Sequence, residues 1–539
     1  MSMQHRMAGG WALIATLCFG LSMATAQQPP ATTSPQPKPA QPGGKITTEQ
    51  ANQLFSLVDE LIKFSSDETG LPIKSKVKRQ LTSRETVEKY LKQKMDEDES
   101  AKRMQRGEIV LKKFGLLDRD FELKPFLLAM LKEQIEAYYD SKLKTVFLLD
   151  WVGVEEQKPV LAHELTHALQ DQHSDLEKWN DQTPEDVSLN YPDDIDHLAK
   201  DEMDTAREAV VEGQATAVMM DYILKPKGMS LVKDPEVMDF VKQNMSGSED
   251  SPVMARAPLL LSESMLFPYR EGLNFEQDVW MDRGQAAAFA GTLDRPPTSS
   301  WEIMNPLEYE KRHVPAVPLL PNIHPLVDKL YKPYDIGQIG QLDVHILTEL
   351  FGGDQAARDL TPAWNGGLYW AGQSLSAKTP AEQANTNSIA FFYLSVWKNP
   401  ASAHAFASIY ANDLGRKYSG VKLDEIAQAS AASLPSETEG PIAQEQVYST
   451  NEGPVVITQR GKMVFVSESF PLDVARKLTT ILLDAQGSGE MKFAKATRES
   501  SPSLEAVSRE PLTGSLIRFL SSCGVMKAAV EAEIKAAKQ

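Results

Sequence analysis

Residues 163–167 read His-Glu-Leu-Thr-His, two imidazoles four positions apart with a carboxylate between them. On a helix, side chains at i and i+4 leave the same face about one turn apart. Two imidazole nitrogens placed this way suit a single zinc ion, and the glutamate falls beside the coordination position left open for water. The neighbouring residues predict that helix. Leu161, Leu165, Ala168 and Leu169 fall at i, i+4, i+7 and i+8 and form an apolar stripe, with His163 and His167 roughly opposite it, facing a cleft. A lone histidine on a helix is usually a surface or a satisfied core residue. Here His163, His167 and His173 are three of only nine histidines in the chain, gathered within eleven residues, and that weighs towards a metal site.

A catalytic zinc needs a third protein ligand, and two residues compete for the place. His173 stands six after His167, the spacing of the HExxHxxGxxH pattern, in which a glycine turns the chain back onto the metal. The glycine position holds Gln170 here, which has poor access to the left-handed conformation. If the helix runs on, His173 lies about 15 Å along its axis from His163, too far to share an ion. The other candidate is Glu212, in a stretch from Arg207 to Ala217 that reads as a second helix, with small residues Gly213, Ala215 and Ala217 where another helix packs closely. Glu208, one turn earlier, is a decoy on the same face. Glu212 is the preferred third ligand, completing a His₂Glu set with Glu164 as general base.

The motif and the later Glu212-Gly213-x-Ala215 element resemble the gluzincin class of zinc metallopeptidases, in which HExxH is joined by a distal glutamate. The runs Leu161 to His173 and Val211 to Ala215 are similar to a group of uncharacterised bacterial exported HExxH proteins. The resemblance covers mainly residues 135–222. It implies a zincin-like core, Zn2+ held by His163, His167 and Glu212, Glu164 as the base, and a peptide or protein substrate. The chain departs from familiar gluzincins in a longer gap between His167 and Glu212. It also has Thr216 where thermolysin-like members keep a supporting aspartate. Thr145 to Leu149 predicts a short strand before the motif helix. Such a strand in zincin-like proteases is often a sheet edge that an extended substrate joins, although an ordinary core strand fits the residues as well. Tyr138 and Tyr139 carry no assigned role.

Around this segment the chain divides by composition. Residues 1–26 read as a secretory signal peptide: Arg6, an apolar run from Trp11 to Leu21, then Ala24-Thr25-Ala26 before Gln27. Residues 27–45 are a Pro-rich disordered linker. Helical periodicity marks an N-terminal region over 46–130, where Leu54, Leu57 and Leu61 form one stripe. The metal-site domain spans 131–329, with an acidic loop from Asp181 to Asp204 between the two ligand helices. It ends in a proline-rich stretch that is either a linker or a strap across the core, and Trp301, Leu307 and Leu319 favour the strap. A C-terminal α+β region fills 330–539. It includes a helix over Gln338 to Phe351, a turn at Trp364 to Gly367, a hairpin turning at Arg460-Gly461 and a helix over Leu472 to Leu483. Trp364, Trp370 and Trp397 read as core. The expected class is α+β, predominantly helical.

Composition narrows function further. Loss of the leader removes Cys18 and leaves Cys523, so no internal disulfide forms and a cysteine nucleophile is disfavoured. A net charge of −18 argues against nucleic-acid binding. The expectation is therefore an exported zinc metallopeptidase, secreted or periplasmic, with no stable membrane insertion after signal cleavage; its oligomeric state is not legible. Its rivals are a non-catalytic envelope or secreted protein with a zinc-binding zincin-like core, and a zinc hydrolase acting on another bond. Glu164 separates them, because structural zinc needs no base and usually fills all four positions, most often with cysteines.

Overall fold

Thr47 and Gln50 exchange side-chain and backbone hydrogen bonds as a capping box, and this starts α1 (Thr48–Thr69). Gly70, at φ 70°, ends it. Leu54, Val58 and Leu61 give the helix its buried face. The computed structural model describes residues 45–97, 99–135, 137–180, 190–234, 251–313, 315–431 and 444–486. The leader expected over 1–26, nearly all of the linker over 27–45, and Cys523 lie outside the described residues. From Lys45 onward the described residues pack as one compact unit. They are α+β and about 60% helical.

After α1 come β1 (Lys78–Thr82), α2 (Arg84–Glu97), α3 (Glu99–Phe114), α4 (Leu123–Gln134), β2 (Ala137–Asp140) and β3 (Thr145–Leu149). The three strands form one sheet in the order β1-β3-β2, with β1 parallel and β2 antiparallel to β3. The segment 46–130 thus contributes a strand to the sheet that precedes the motif helix. Thr145 to Leu149 is the middle strand and not an edge. Every residue in it is buried, which explains why it reads as an unbroken apolar run. The two edges are β1 and β2.

Four helices follow: α5 (Val154–Ser174), α6 (Leu176–Asn180), α7 (Tyr191–Lys200) and α8 (Met203–Leu224). The expected acidic loop is therefore helical from Tyr191. Its Asp194, Asp201, Glu202 and Asp204 are buried instead of solvated. Next is α9 (Leu259–Arg283), which lies along α8. The proline-rich strap packs on the core through Ile303, Tyr309 and Leu320, with Trp301 partly buried against it as expected; Leu307 is exposed, contrary to expectation.

The C-terminal region is a seven-stranded antiparallel sheet. Its strands are β4 (Tyr331–Gln338), β5 (Trp364–Ser374), β6 (Ile389–Trp397), β7 (Lys422–Leu423), β8 (Gln444–Thr450), β9 (Gly453–Arg460) and β10 (Met463–Glu468). Their order is β4-β5-β6-β10-β9-β8-β7. The helices α10 (Gln341–Gly352), α11 (Pro400–Asn412) and α12 (Leu472–Ala485) are all placed close to the expected bounds where an expectation existed. Tyr369, Phe391 and Tyr393 pack into one cluster with α11, and Trp370, Phe392 and Phe465 into another with α12. Both faces are covered, so β6 is buried along nearly its whole length and shows no alternation. The three tryptophans are core, and Gly461 (φ 59°) makes the hairpin turn between β9 and β10. Trp364 to Gly367 is the start of β5, not a separate turn; the register slips there and Gly366 takes φ 130°.

Candidate metal centre

The motif helix α5 is fixed at both ends and along one side. Gly153 at its N-cap donates to the Glu156 side chain at 3.0 Å. Gln157 ties the first turn to the end of β3, accepting from Leu149 N at 2.9 Å and donating to Leu149 O at 3.0 Å. Ser65 of α1 donates to the Ala162 carbonyl at 3.0 Å. The helix passes through Gln170 without a break and ends at Asp175, in the left-handed conformation. His173 is carried to its far end, where Nε2 meets Asp294 Oδ1 at 2.9 Å, away from the other two histidines.

Glu212 is brought in by α8, which crosses both α5 and α9. Gly213, next to Glu212, faces α9 and not α5: a Cβ there would lie 2.3 Å from the backbone carbon and oxygen of Gly272. A Cβ on Gly272 would lie 2.1 Å from the Ala209 carbonyl. The two helices therefore touch backbone to backbone, which only paired glycines permit.

The expected ligands converge. His163 Nε2 is 3.0 Å from Glu212 Oε2, His167 Nε2 is 3.4 Å from the same oxygen, and the two Nε2 atoms are 2.9 Å apart. Candidate ligand atoms of His163, Glu164 and His167 also lie within 4.8 Å of one another. Ligands held at zinc bond lengths in a tetrahedron would sit roughly 3.3 Å apart. The ring orientation suits a cation as well. His167 Nδ1 is turned to Gln170 Oε1 at 2.9 Å, and the Nε2 atoms of both rings are directed at Glu212. Two inward imidazole nitrogens beside a carboxylate repel unless a proton or a metal lies among them. The residues present therefore fit a zinc ion. Glu208, the decoy, is buried one turn earlier on the same helix, and it is Glu212 whose carboxylate meets both rings.

The electrostatics of the cluster have the same origin. Burial and the neighbouring His167 push His163 down to about 4, so it is neutral. Burial opposes charge on His167, but the Glu212 charge and hydrogen bond, with Glu164 behind them, outweigh it and raise His167 to about 9. Burial would raise Glu212; the His167 charge and hydrogen bonds from both rings lower it to about 2. Without metal the pair of rings shares one proton, held chiefly by His167. Glu164 is pushed up to about 7 by burial, with His167 pulling down and Glu212 pushing up. Its carboxylate accepts from the Tyr139 backbone N–H on the free edge of β2.

Two expectations change. The motif face is not an open cleft: His163 is fully buried, Glu164 and Glu212 nearly so, and only His167 keeps some exposure. Thr216, at the position of the thermolysin-like aspartate, touches neither histidine; its hydroxyl is buried without a partner. Sequence reasoning also missed Tyr269. It lies on α9 one turn before Gly272, 2% exposed, with its ring centroid 6.3 Å from that of His163. Burial and the Glu212, Glu164 and Glu208 carboxylates hold its hydroxyl well above the usual tyrosine range, so it keeps its proton. Glu212 is the acceptor this hydroxyl faces, at a separation too long or too bent for a close hydrogen bond. The only signal was indirect: Gly272 and Gly213 are glycines inside long helices, each near a site residue. Tyr138 is packed between Tyr90 and Phe147, and Tyr139 donates to Asp171 at 2.7 Å. No protein-family model matches the chain, and neither does any curated protein or solved structure.

Proposed function

We propose that the protein is an exported zinc metallopeptidase with a zincin-like core, acting on peptide or protein substrates. The observation that carries this reading is the convergence of His163, His167 and Glu212 about one point, with Glu164 beside it. Those three residues would hold the ion, which when bound supplies a Lewis acid that polarises a carbonyl and makes water more acidic. Glu164, raised to about 7, is poised to take a proton near neutral pH. It accepts one from the water whose oxygen bonds to the scissile carbonyl carbon. It then delivers that proton to the amide nitrogen as the C–N bond breaks. Tyr269 keeps its proton beside Glu212 at the site and is suited to donate to the carbonyl oxygen as negative charge grows on it.

One observation favours a second reading, a non-catalytic zinc-binding envelope or secreted protein: the centre is enclosed, with Glu164 2% exposed. Glu164→Gln distinguishes the two. The variant should retain zinc at one ion per chain and wild-type thermal stability while losing nearly all hydrolysis of a quenched-fluorescence peptide library. A wild-type protein that binds zinc but cleaves none of the library supports the second reading. A wild-type protein that holds no zinc after reconstitution rejects both.

A further inference from the structure

Gln170 stands where a chain-reversing glycine would be needed for His173 to coordinate, and the structure shows what it does instead. Its Oε1 lies 2.9 Å from His167 Nδ1, and its Nε2 donates to the Val211 carbonyl and to Gln214 Oε1, each at 2.9 Å. Gln214 in turn directs its Nε2 at the Ala288 carbonyl (3.1 Å), the Phe289 carbonyl (2.9 Å) and Thr292 Oγ1 (2.8 Å). Both glutamines are fully buried. The carbonyls at 288 and 289 belong to a π-helical turn, Ala287–Gly291, where the regular helical bonding is broken.

An amide has one donor end and one acceptor end, and a backbone carbonyl only accepts. This makes the chain directional. The carbonyls of Ala288 and Phe289 require the NH₂ of Gln214, so its oxygen must point to Gln170. That oxygen and the Val211 carbonyl both require the NH₂ of Gln170, so the oxygen of Gln170 must point to His167. An oxygen there requires a proton on Nδ1 and directs Nε2 towards Glu212 and His163. Reversing either amide would set oxygen against oxygen in a buried site and leave a buried carbonyl without a donor.

We infer that Gln170 and Gln214 are positioning residues, a two-amide relay through which the π-turn carbonyls fix the ring orientation and proton placement of His167 and so ready its Nε2 for a metal ion. The inference rests on the zinc reading for its purpose but not for its geometry. Thr292 closes the far end by donating to Glu276 Oε1 at 3.1 Å. Supporting hydrogen bonds of this kind commonly account for about 10–100-fold in metal affinity.

Methionine matches glutamine in length and shape without its amide, so Gln170→Met and Gln214→Met test the relay. Zinc affinity, measured by competition with a chromophoric chelator, should fall about tenfold or more in each. The double variant should bind no worse than Gln170→Met alone, because Gln214 acts only through Gln170. In protein labelled with ¹⁵N-histidine, wild-type His167 should show a slowly exchanging Nδ1–H, in both the metal-free and the zinc-loaded form. That signal should exchange faster in Gln214→Met and vanish in Gln170→Met. Metal-free melting curves verify that the variants fold. A wild-type His167 without a protected Nδ1–H, or Gln214→Met with wild-type affinity and exchange, overturns the relay. Failure of the wild type to bind zinc overturns the zinc reading instead, and the metal-free Nδ1–H measurement still decides the relay.

Discussion

Replacing Gly213 by alanine puts a methyl group into the contact between α8 and α9. The added carbon would start 2.3 Å from Gly272 C and O, whereas ordinary contact begins near 3.4 Å. The obstacle is backbone, which cannot rotate aside, so the helices must part by roughly 1 Å. In an exposed helix the same substitution stabilises by about 1 kcal/mol, because alanine is the better helix former. Overpacking a close contact typically costs about 1–3 kcal/mol. The expected net effect is a loss of about 2 kcal/mol in urea unfolding of the metal-free protein. Gly272→Ala, meeting the Ala209 carbonyl at 2.1 Å, should behave alike. The two substitutions open the same gap, so the double variant should cost clearly less than their sum. Tyr269, one turn from Gly272, should move with α9, and peptide hydrolysis should fall more than zinc binding. A Gly213→Ala protein that is more stable than wild type, or a double variant with fully additive cost, would refute the backbone-to-backbone crossing.

Tyr269→Phe removes one hydroxyl and no packing; kcat should fall by about 10²-fold with zinc content and KM nearly unchanged, read from steady-state kinetics on one peptide. Because Glu212 holds a proton on His167 up to about 9, zinc must displace it. Apparent affinity should therefore drop about tenfold per pH unit below 9 and level off above it, as chelator competition from pH 7 to 10 will show. In the C-terminal sheet, Lys417 Nζ meets Glu468 Oε1 at 2.5 Å with both side chains fully buried, and Tyr410 donates to the same oxygen at 2.6 Å. Lys417→Met strands the carboxylate and should cost about 3–5 kcal/mol in denaturant unfolding, most of it recovered in Lys417→Met/Glu468→Gln.

What the sequence disclosed was local. The HExxH helix announces itself through the 3.6-residue period of Leu161, Leu165, Ala168 and Leu169, and Arg460-Gly461 announces a hairpin because few residues adopt φ 59° as readily as glycine. Glu212 was legible only as a carboxylate on a small-residue helix; its approach to His163 depends on where α8 lies. That helix does pack across α5, but its tightest small-residue contact, at Gly213, is with α9. Strand order was equally out of reach. An apolar run such as Thr145 to Leu149 shows burial on both faces but not whether neighbours flank it on both edges, and β1 is contributed from more than sixty residues upstream. Gln170 could be read as the absence of glycine; its positive role needs Gln214, forty-four residues away.

The position of Glu212 depends on the C-terminal region too. At the start of α8, Asp201 Oδ2 accepts from the Gln338 backbone N–H on β4, and Gln338 Nε2 donates back to the Leu198 carbonyl at 2.6 Å. Glu202 Oε2 accepts from Ser300 N at 2.9 Å and Ser300 Oγ at 2.5 Å, on the proline-rich strap. Gly337 and Gly340 leave room for these carboxylates: a Cβ would fall 2.6 Å from Asp201 Oδ2 and 2.3 Å from Glu202 Oε2. Burial raises both acids, so the contact favours neutral carboxyl groups seated against backbone over an exposed ion pair. The helix bearing Glu212 is thus anchored at one end to β4 and the strap, and pressed in its middle against α9. The motif helix is anchored separately, to β3 and α1. His163 and Glu212, on helices fixed by different parts of the chain, can meet at 3.0 Å only if both anchorages hold, which makes the C-terminal sheet part of the foundation of the candidate site and not an appendage to it.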